Sequence, residues 1–249
     1  MAKLKPIVDF LNKELRIKSI KDSSRNGLQV KCKSEINKIG FAVDASLSTF
    51  EKAKRENVDL LIVHHGIKWK PQKYPEITAK RMNFLKKNKI SFYACHLPLD
   101  AHAKYGNNIM LCKVLDLLNV KKFGKYHGTA IGFSGEFNRE LNIYEVAEIL
   151  NIRLNTNCKI FNFGKQKIKS IGIVSGGGAD AIEDAVKEKK DCFLTGEIGL
   201  GAYNRAKDFG LSMIVAGHYA TETLGVKALM PVLSKRFKIN TVFIEDEGI

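Results

Sequence analysis

The feature of this sequence that most constrains its fold is a strand–helix–strand unit that occurs twice. When the chain is shifted by 132 residues, residues 39–43 align with residues 171–175, and four residues meet identical partners: Glu51, Ala53, Glu56 and Asp59. With a shift of 122 residues, residues 92–96 align with residues 214–218. The first match by itself is also compatible with two unrelated α/β units. The second match also repeats a His-x-x-x-carboxylate pattern after the strand, which favours two related domains.

The segments around these matches alternate between strand-like and helix-like patterns. Residues 39–43 and 58–63 are short apolar runs of strand length, and residues 46–57 have helical spacing with Ser46 as a candidate N-cap. Such alternation predicts an α/β fold of two related domains, with mostly parallel sheets covered by helices. We place the first domain at residues 1–125 and the second at residues 126–249. Residues 221–249 are expected to pack back on the first domain.

Polar side chains stand where the apolar strands are predicted to end. The first half has His64-His65-Gly66 and then His96 with Asp100, and the second half has His218 with Glu222. Ligands of open α/β sheets gather at the carboxyl ends of strands, and imidazole and carboxylate groups suit Fe, Zn, Mn or Ni. A single such motif is more often structural, but the combination predicts two divalent metal ions in the cleft between the domains.

Two further motifs leave alternatives open. Glu197 occupies the position in the second half that His65 occupies in the first, so it is a candidate ligand, a hydrogen-bond partner of a ligand, or a proton carrier. Glu197 is equally compatible with a structural role as a cap on the helix that follows it. The Ser175-Gly176-Gly177-Gly178 segment resembles a phosphate-binding loop but lacks the spacing of known motifs, so a tight backbone turn is the favoured interpretation.

The net charge of +15 requires an explanation of its own. A lysine-rich surface adapted to heat is one interpretation, although that adaptation raises glutamate together with lysine. Attraction of nucleotides or nucleic acid is the other. The five cysteines are scattered and form no C-x-x-C motif, which indicates reduced thiols rather than disulfides. With no secretory signal and no membrane-spanning apolar run, we expect a cytoplasmic protein that does not contact membranes.

At these residues the sequence resembles the Nif-three-like dinuclear metal-centre family, also called type 2 homologues of GTP cyclohydrolase I. The matching stretches are residues 26–30, His64-His65-Gly66, residues 96–100, residues 106–108, residues 175–178, residues 195–197 and residues 217–222. The resemblance implies a homohexamer built as a trimer of dimers. It also implies that the metal ligands are His64, His65, Asp100, His218 and Glu222, with Asp100 and Glu222 bridging. His96 matches the motif as either a ligand or a partner of one.

Three functions are compatible with these residues. The first is a dinuclear-metal hydrolase acting on a nucleotide or a related heterocycle, with Glu197 and His96 as candidate catalytic proton carriers. The second is a protein that delivers iron or another metal, which needs the same ligands and no substrate. The third is a sequence-tolerant DNA- or RNA-binding protein that uses its basic surface. The family's longer members carry an inserted domain that this chain lacks, so functions of that insert are not expected here.

Overall fold

The computed structural model describes residues 1–246 and forms two compact units. The first unit comprises Met1–Leu99 together with the chain from Gly225 onward, and the second comprises Asp100–Leu224. This division differs from the boundary at residue 125 that the sequence indicates. Residues 118–126 are not a linker but a strand that pairs with its neighbour inside the second sheet. The chain returns to the first unit because residues 240–243 pair with residues 38–41.

Thirteen strands and nine α-helices are present in the described part of the chain. Up to the hairpin of the second unit they are β1 (Ala2–Lys3), α1 (Leu4–Glu14), β2 (Gly27–Val30), β3 (Glu35–Ile36), β4 (Lys38–Ala42), α2 (Leu47–Arg55), β5 (Leu60–Val63), α3 (Pro75–Lys87), β6 (Ser91–Ala94), α4 (Leu97–Asp100), α5 (Asn107–Val114), β7 (Leu118–Tyr126) and β8 (Thr129–Asn142). The remainder are α6 (Ile143–Leu154), β9 (Lys159–Phe161), β10 (Lys167–Val174), α7 (Ile182–Lys187), β11 (Cys192–Thr195), α8 (Leu200–Asp208), β12 (Ser212–Val215), α9 (His218–Phe237) and β13 (Asn240–Phe243).

The first unit is built on a five-stranded sheet in the order β13-β4-β5-β6-β2. The first four strands are parallel and β2 runs antiparallel at one edge. All four residues of β5 are buried, as expected for a strand covered on both faces. Ser46 caps α2, because its side chain accepts a 3.0 Å hydrogen bond from the Thr49 N–H. Phe50 of that helix packs against Phe92 of the sheet, with ring centroids 5.7 Å apart.

The second unit contains a six-stranded sheet in the order β7-β8-β10-β11-β12-β9. Only β10, β11 and β12 are parallel to one another, and the other three strands are antiparallel to their neighbours. This sheet is therefore mixed, whereas the sequence predicts mostly parallel strands. The α/β architecture of sheets and helices is confirmed. Helix α6 begins with a capping box between Asn142 and Glu145, and its buried face packs on the sheet core.

The internal repeat corresponds to equivalent strand pairing in the two units. Ile39 pairs with Leu60 in the first sheet, and the residues 132 positions later, Ile171 and Cys192, pair in the second. The next strand of each sheet, β6 in the first and β12 in the second, departs from this spacing. Val63 pairs with Ala94, and Thr195 pairs with Val215, so β6 and β12 are 121 residues apart in sequence. The histidines that follow these strands are 122 residues apart. One extra residue follows β12 before its histidine.

The helices also bear on membrane association. Within residues 1–246, no helix combines the length and the apolar character needed to cross a bilayer.

Candidate metal centre

The adjacent histidines follow directly from the end of β5 in the first unit. The backbone N–H groups of His64 and His65 both donate to the Val43 carbonyl, at 3.1 and 2.8 Å, which turns the chain at this point. Gly66 follows in a space that excludes a side chain, because a Cβ there would collide with the Gln29 amide and lie 2.9 Å from the Ala94 Cβ. The two imidazole rings consequently lie with their centroids 4.7 Å apart. The strand end thus presents both rings together, as the sequence predicts.

His96 joins these two histidines from the end of the neighbouring strand β6. Its N–H donates to the Asn26 side chain at 2.8 Å, just before strand β2, which pairs with β6. The His96 ring centroid is 5.1 Å from that of His64 and 5.6 Å from that of His65. One ring nitrogen from each of the three residues lies within 4.8 Å of the others. Three imidazoles from one unit therefore converge on a common point.

Each of the three histidines has an acceptor at its Nδ1 atom. His64 Nδ1 lies 3.1 Å from the Cys95 carbonyl oxygen, His65 Nδ1 lies 2.7 Å from Asp44, and His96 Nδ1 lies 2.9 Å from Asp22. These acceptors favour the tautomer with a proton on Nδ1 and a lone pair on Nε2, which is the arrangement of metal-binding histidines. Cys95 contributes its carbonyl, while its thiol is buried. The donor set fits a divalent transition metal.

His218 and Glu222 form the corresponding group in the second unit. Helix α9 begins at His218, so the side chains of His218 and Glu222 are about one helical turn apart. His218 Nε2 lies 3.2 Å from a Glu222 oxygen, and its Nδ1 lies 3.0 Å from Glu197. The hydrogen bond with Glu222, aided by Glu197, raises the pKa of His218 to about 9 although burial opposes the charge. The site therefore favours positive charge at this position.

Asp100 is the second buried carboxylate of this unit. Its Oδ1 accepts from the Asn107 amide at 2.7 Å and from the Ser175 hydroxyl at 3.3 Å. Asn108 then connects this region to the glycine loop, because its side-chain oxygen accepts from the Ser175 N–H at 2.7 Å. Carboxylate oxygens of Asp100 and Glu222 lie within 4.8 Å of each other. Two buried carboxylates at this distance repel unless a cation or proton lies nearby, which fits a bridging role on metal ions.

The glycine loop after β10 packs directly against His218 and Glu222. Gly176 has a positive φ of 59°, and a Cβ there would collide with a Glu222 oxygen and lie 2.9 Å from His218 Nε2. Its carbonyl accepts from the N–H groups of Gly196 and Glu197, at 2.9 and 3.0 Å. The loop is therefore a tight turn that leaves room for the His218 and Glu222 side chains. This agrees with the favoured interpretation of the Ser175–Gly178 segment.

Several side chains of the candidate site were not identified from the sequence. Asp22 and Asp44 hydrogen-bond the candidate ligands His96 and His65, and Trp69 lies with its ring centroid 5.0 Å from that of His96. Trp69 also lines an open pocket of about 520 Å³ with His65, Asp44 and Arg81. Asp44 follows strand β4, so its position at a strand end was a usable signal. Asp22 and Trp69 lie in loops without such a pattern.

Known proteins resemble this chain over nearly its whole length. The sequence profile of the family described as Duf34/NIF3 (NGG1p interacting factor 3) matches residues 2–248. The chain belongs to the Duf34/NIF3 family. A Pyrococcus horikoshii protein named GTP cyclohydrolase 1 type 2 homolog is 50% identical over 96% of each chain, and one of the same name from Archaeoglobus fulgidus is 38% identical over 97% of each.

A solved structure shares the fold of the chain over nearly its whole length. The protein TTHA1606 from Thermus thermophilus superposes with a TM-score of 0.90 at 34% identity and covers 99% of both chains. The family and the fold expected from the sequence are thereby confirmed. The names of these relatives describe a homologue, and they assign no reaction to the present chain.

Proposed function

We propose that this Duf34/NIF3 protein binds two divalent metal ions through His64, His65, Asp100, His218 and Glu222 and uses them to hydrolyse a nucleotide or related heterocycle. The observation that carries this proposal is the convergence of three histidines, each with an acceptor at Nδ1, in a protein that also places two buried carboxylates within 4.8 Å. His96, the third of these histidines, is a further candidate ligand beside the five. The names of the relatives, which refer to a cyclohydrolase, are consistent with hydrolysis.

Divalent ions held by imidazole and carboxylate groups supply a water of lowered pKa and polarise the bond under attack. The donor set suits Fe, Zn, Mn or Ni. The protein's own residues then have three tasks. They hold the ligands in one tautomer, position the substrate and transfer protons.

Glu197 is the residue we assign to proton transfer. Its carboxylate is largely exposed, with 62% of its side chain accessible, and one oxygen lies 3.0 Å from His218 Nδ1. A carboxylate in this position exchanges protons with solvent while remaining in contact with a ligand histidine. Glu197→Gln should therefore lower turnover while leaving the metal content close to that of the wild type.

The decisive experiment compares metal content and turnover in the same samples. The wild type, purified without chelators, should contain about two ions per chain and hydrolyse at least one compound of a nucleotide and phosphoester panel. Asp100→Asn should abolish that turnover, whereas Asp9→Asn, at an exposed residue paired with Lys5, should not. Turnover that persists in Asp100→Asn, or a metal-loaded wild type inactive on the whole panel, would contradict the hydrolase.

Metal delivery is the second candidate, and the exposure of the ligands favours it. The side chains of His65 and His96 are each 18% exposed, and that of His218 is 35% exposed, so solvent reaches several ligands. A delivery protein should release its ions to a competing chelator within minutes while it stays folded. Retention of both ions under the same conditions would argue for a resident catalytic metal.

A further inference from the structure

The second unit contains an open pocket that the metal ligands do not explain. Its volume is about 610 Å³, which lies in the range of small-molecule sites. Phe161, Leu200 and Tyr203 line it together with Lys159 and Glu197. Glu197 also contacts His218 at 3.0 Å, so the pocket opens beside the ligand group of this unit.

The two aromatic residues of the pocket wall pack against each other and against Phe163 behind them. Phe161 and Phe163 stack at 6.0 Å with an interplanar angle of 19°, and the ring of Tyr203 stands edge-on to both at 5.2 Å. Leu200 adds an apolar rim and is 77% exposed, an unusual exposure for a leucine beside an aromatic cluster. Aromatic and aliphatic walls of this kind bind flat rings.

The charged groups lie at one end of the pocket. Successive side chains of a strand alternate between its faces, so Lys159 and Phe161 share the pocket face of β9 while Ile160 packs against the core. Lys159 lies opposite Val215, and Phe161 lies opposite Met213. Because β12 runs from Met213 to Val215 towards His218, Lys159 is nearer the ligand end than Phe161. Among residues 1–246, Lys159 forms no ion pair, so its charge is available to a bound anion.

We infer that this pocket binds a planar heterocycle bearing an anionic group, with the ring against Phe161 and Tyr203 and the anionic group towards Lys159. The inference names the substrate class of the hydrolase proposed above and rests on that proposal for its connection to catalysis. A nucleoside monophosphate has both parts and is of suitable size. An occupant that is only an anion would leave the aromatic wall exposed to water.

Binding can be measured by titration calorimetry on the full-length protein, with metal content determined in the same sample. The first probe, GMP, carries both the ring and the anionic group. Guanosine carries the ring without the phosphate, and ribose 5-phosphate carries the phosphate without the ring. GMP should bind at least about tenfold more tightly than ribose 5-phosphate, as stacking energies predict. Tyr203→Leu and Leu200→Ser should each weaken GMP binding about fivefold or more, and Lys159→Ala should weaken binding of GMP but not of guanosine.

Ile152→Ser provides the matched control, because Ile152 is a similarly exposed apolar residue (73%) on another helix of the same unit. It should bind GMP like the wild type. Equal affinity for GMP and ribose 5-phosphate would overturn the inference, as would equal losses in Ile152→Ser and Leu200→Ser. A drop in oligomer mass in Leu200→Ser would also overturn it, because a second chain would then cover the pocket.

The outcomes separate this inference from the proposed hydrolase. Protein that holds two ions per chain but binds no ring-bearing probe would contradict the pocket assignment and leave the metal proposal intact. Protein that binds GMP through Tyr203 and Lys159 but contains no metal, even after reconstitution, would support the pocket and contradict the hydrolase.

Discussion

At the scale of single residues, the candidate centre includes carboxylates that hydrogen-bond the candidate ligand histidines. Asp44 and Asp22 accept hydrogen bonds from His65 and His96, at 2.7 and 2.9 Å. Burial by itself would raise the pKa of the Asp22 carboxyl, but His96 together with the hydrogen bonds from Asn26 and the Ser24 N–H outweighs burial and lowers it. An ionised carboxylate holds the imidazole in the metal-binding tautomer and increases its basicity. Metal affinity should therefore be sensitive to residues that do not contact the metal.

The first prediction tests this dependence. Asp44→Asn should weaken metal binding by about 10- to 100-fold, because the neutral amide supports the His65 tautomer less strongly. Competition with a chromophoric chelator measures the change. Asp9→Asn removes the same charge from an exposed position on α1 and should leave the affinity unaltered. Equal affinities of the two variants would show that Asp44 does not orient a ligand.

The second prediction concerns the glycine loop. Gly176→Ala should lower the metal content at least about twofold, because the new Cβ would occupy the position of the Glu222 carboxylate. Gly128→Ala is a matched control, since Gly128 also has a positive φ, of 82°, but nothing lies within 4 Å of its Cβ position. Both variants should lose about 1 kcal/mol of stability from backbone strain. Similar metal loss in both would indicate a general folding defect.

At the scale of secondary-structure elements, the two halves repeat their contacts as well as their sequence. Asp59 accepts hydrogen bonds from the N–H groups of Asn37 and Lys38 and pairs with Lys33. Asp191, 132 residues later, accepts from the N–H groups of Lys169 and Ser170, at 3.0 Å each, and pairs with Lys165. Each aspartate thus joins the start of one strand to the loop before the next.

The third prediction follows from the pKa values of these aspartates. Burial raises the pKa of Asp191, but its hydrogen bonds with Lys165 and the backbone outweigh burial and hold the pKa below its ordinary value. A lowered pKa stabilises the folded state above the unfolded-state pKa of about 4 and loses that effect as the pH falls through the folded-state value. Asp191→Asn should therefore lose about 1–3 kcal/mol at pH 7 and less at pH 3.

Denaturant unfolding curves at several pH values measure this difference. Asp208→Asn, at an exposed position near the end of α8, should be close to wild type at every pH. A loss in Asp191→Asn that is independent of pH would indicate that the ionised carboxylate does not supply the stabilisation.

At the scale of the whole molecule, positive charge is distributed unevenly among the basic segments. Lys33, Lys38 and Lys165 form ion pairs with nearby acidic residues, so part of the excess is neutralised locally. In the first unit, Lys68 has a lowered pKa because of burial and because Arg25 and Lys86 are close by. Mutual repulsion of this kind marks a region that would gain from a bound polyanion.

The fourth prediction is that nucleic acid binds this basic region without sequence preference. Fluorescence anisotropy with unrelated oligonucleotides should give similar affinities that fall steeply with salt concentration. An Arg25→Glu/Lys86→Glu variant should reduce binding about tenfold or more, whereas Lys167→Glu/Lys235→Glu, with the same change in charge, should reduce it less. Equal effects of the two variants would assign the binding to net charge alone, and no binding at low salt would contradict the prediction.

The sequence by itself determined the α/β class, the repeated unit and the principal candidate ligands. These follow from local patterns, because apolar runs specify strands and because polar residues at strand ends lie at one edge of a parallel sheet. The cap at Ser46 is of the same kind, because it depends on a residue three positions further along the chain. The requirement for a small residue at Gly66 and Gly176 depends instead on residues remote in sequence, Gln29 with Ala94 and Glu222 with His218.

The tertiary structure alone decided which distant residues complete the centre. Asp22 reaches His96 across 74 positions of sequence, and Ser175 reaches Asp100 across 75, and no periodicity encodes such pairs. The unit boundary at Leu99, the antiparallel strands of the second sheet and the aromatic pocket likewise depend on pairing between remote segments. The physical reason is that hydrogen bonds and packing between distant segments are specified by the complete fold, whereas a sequence pattern reports only the local environment of each residue.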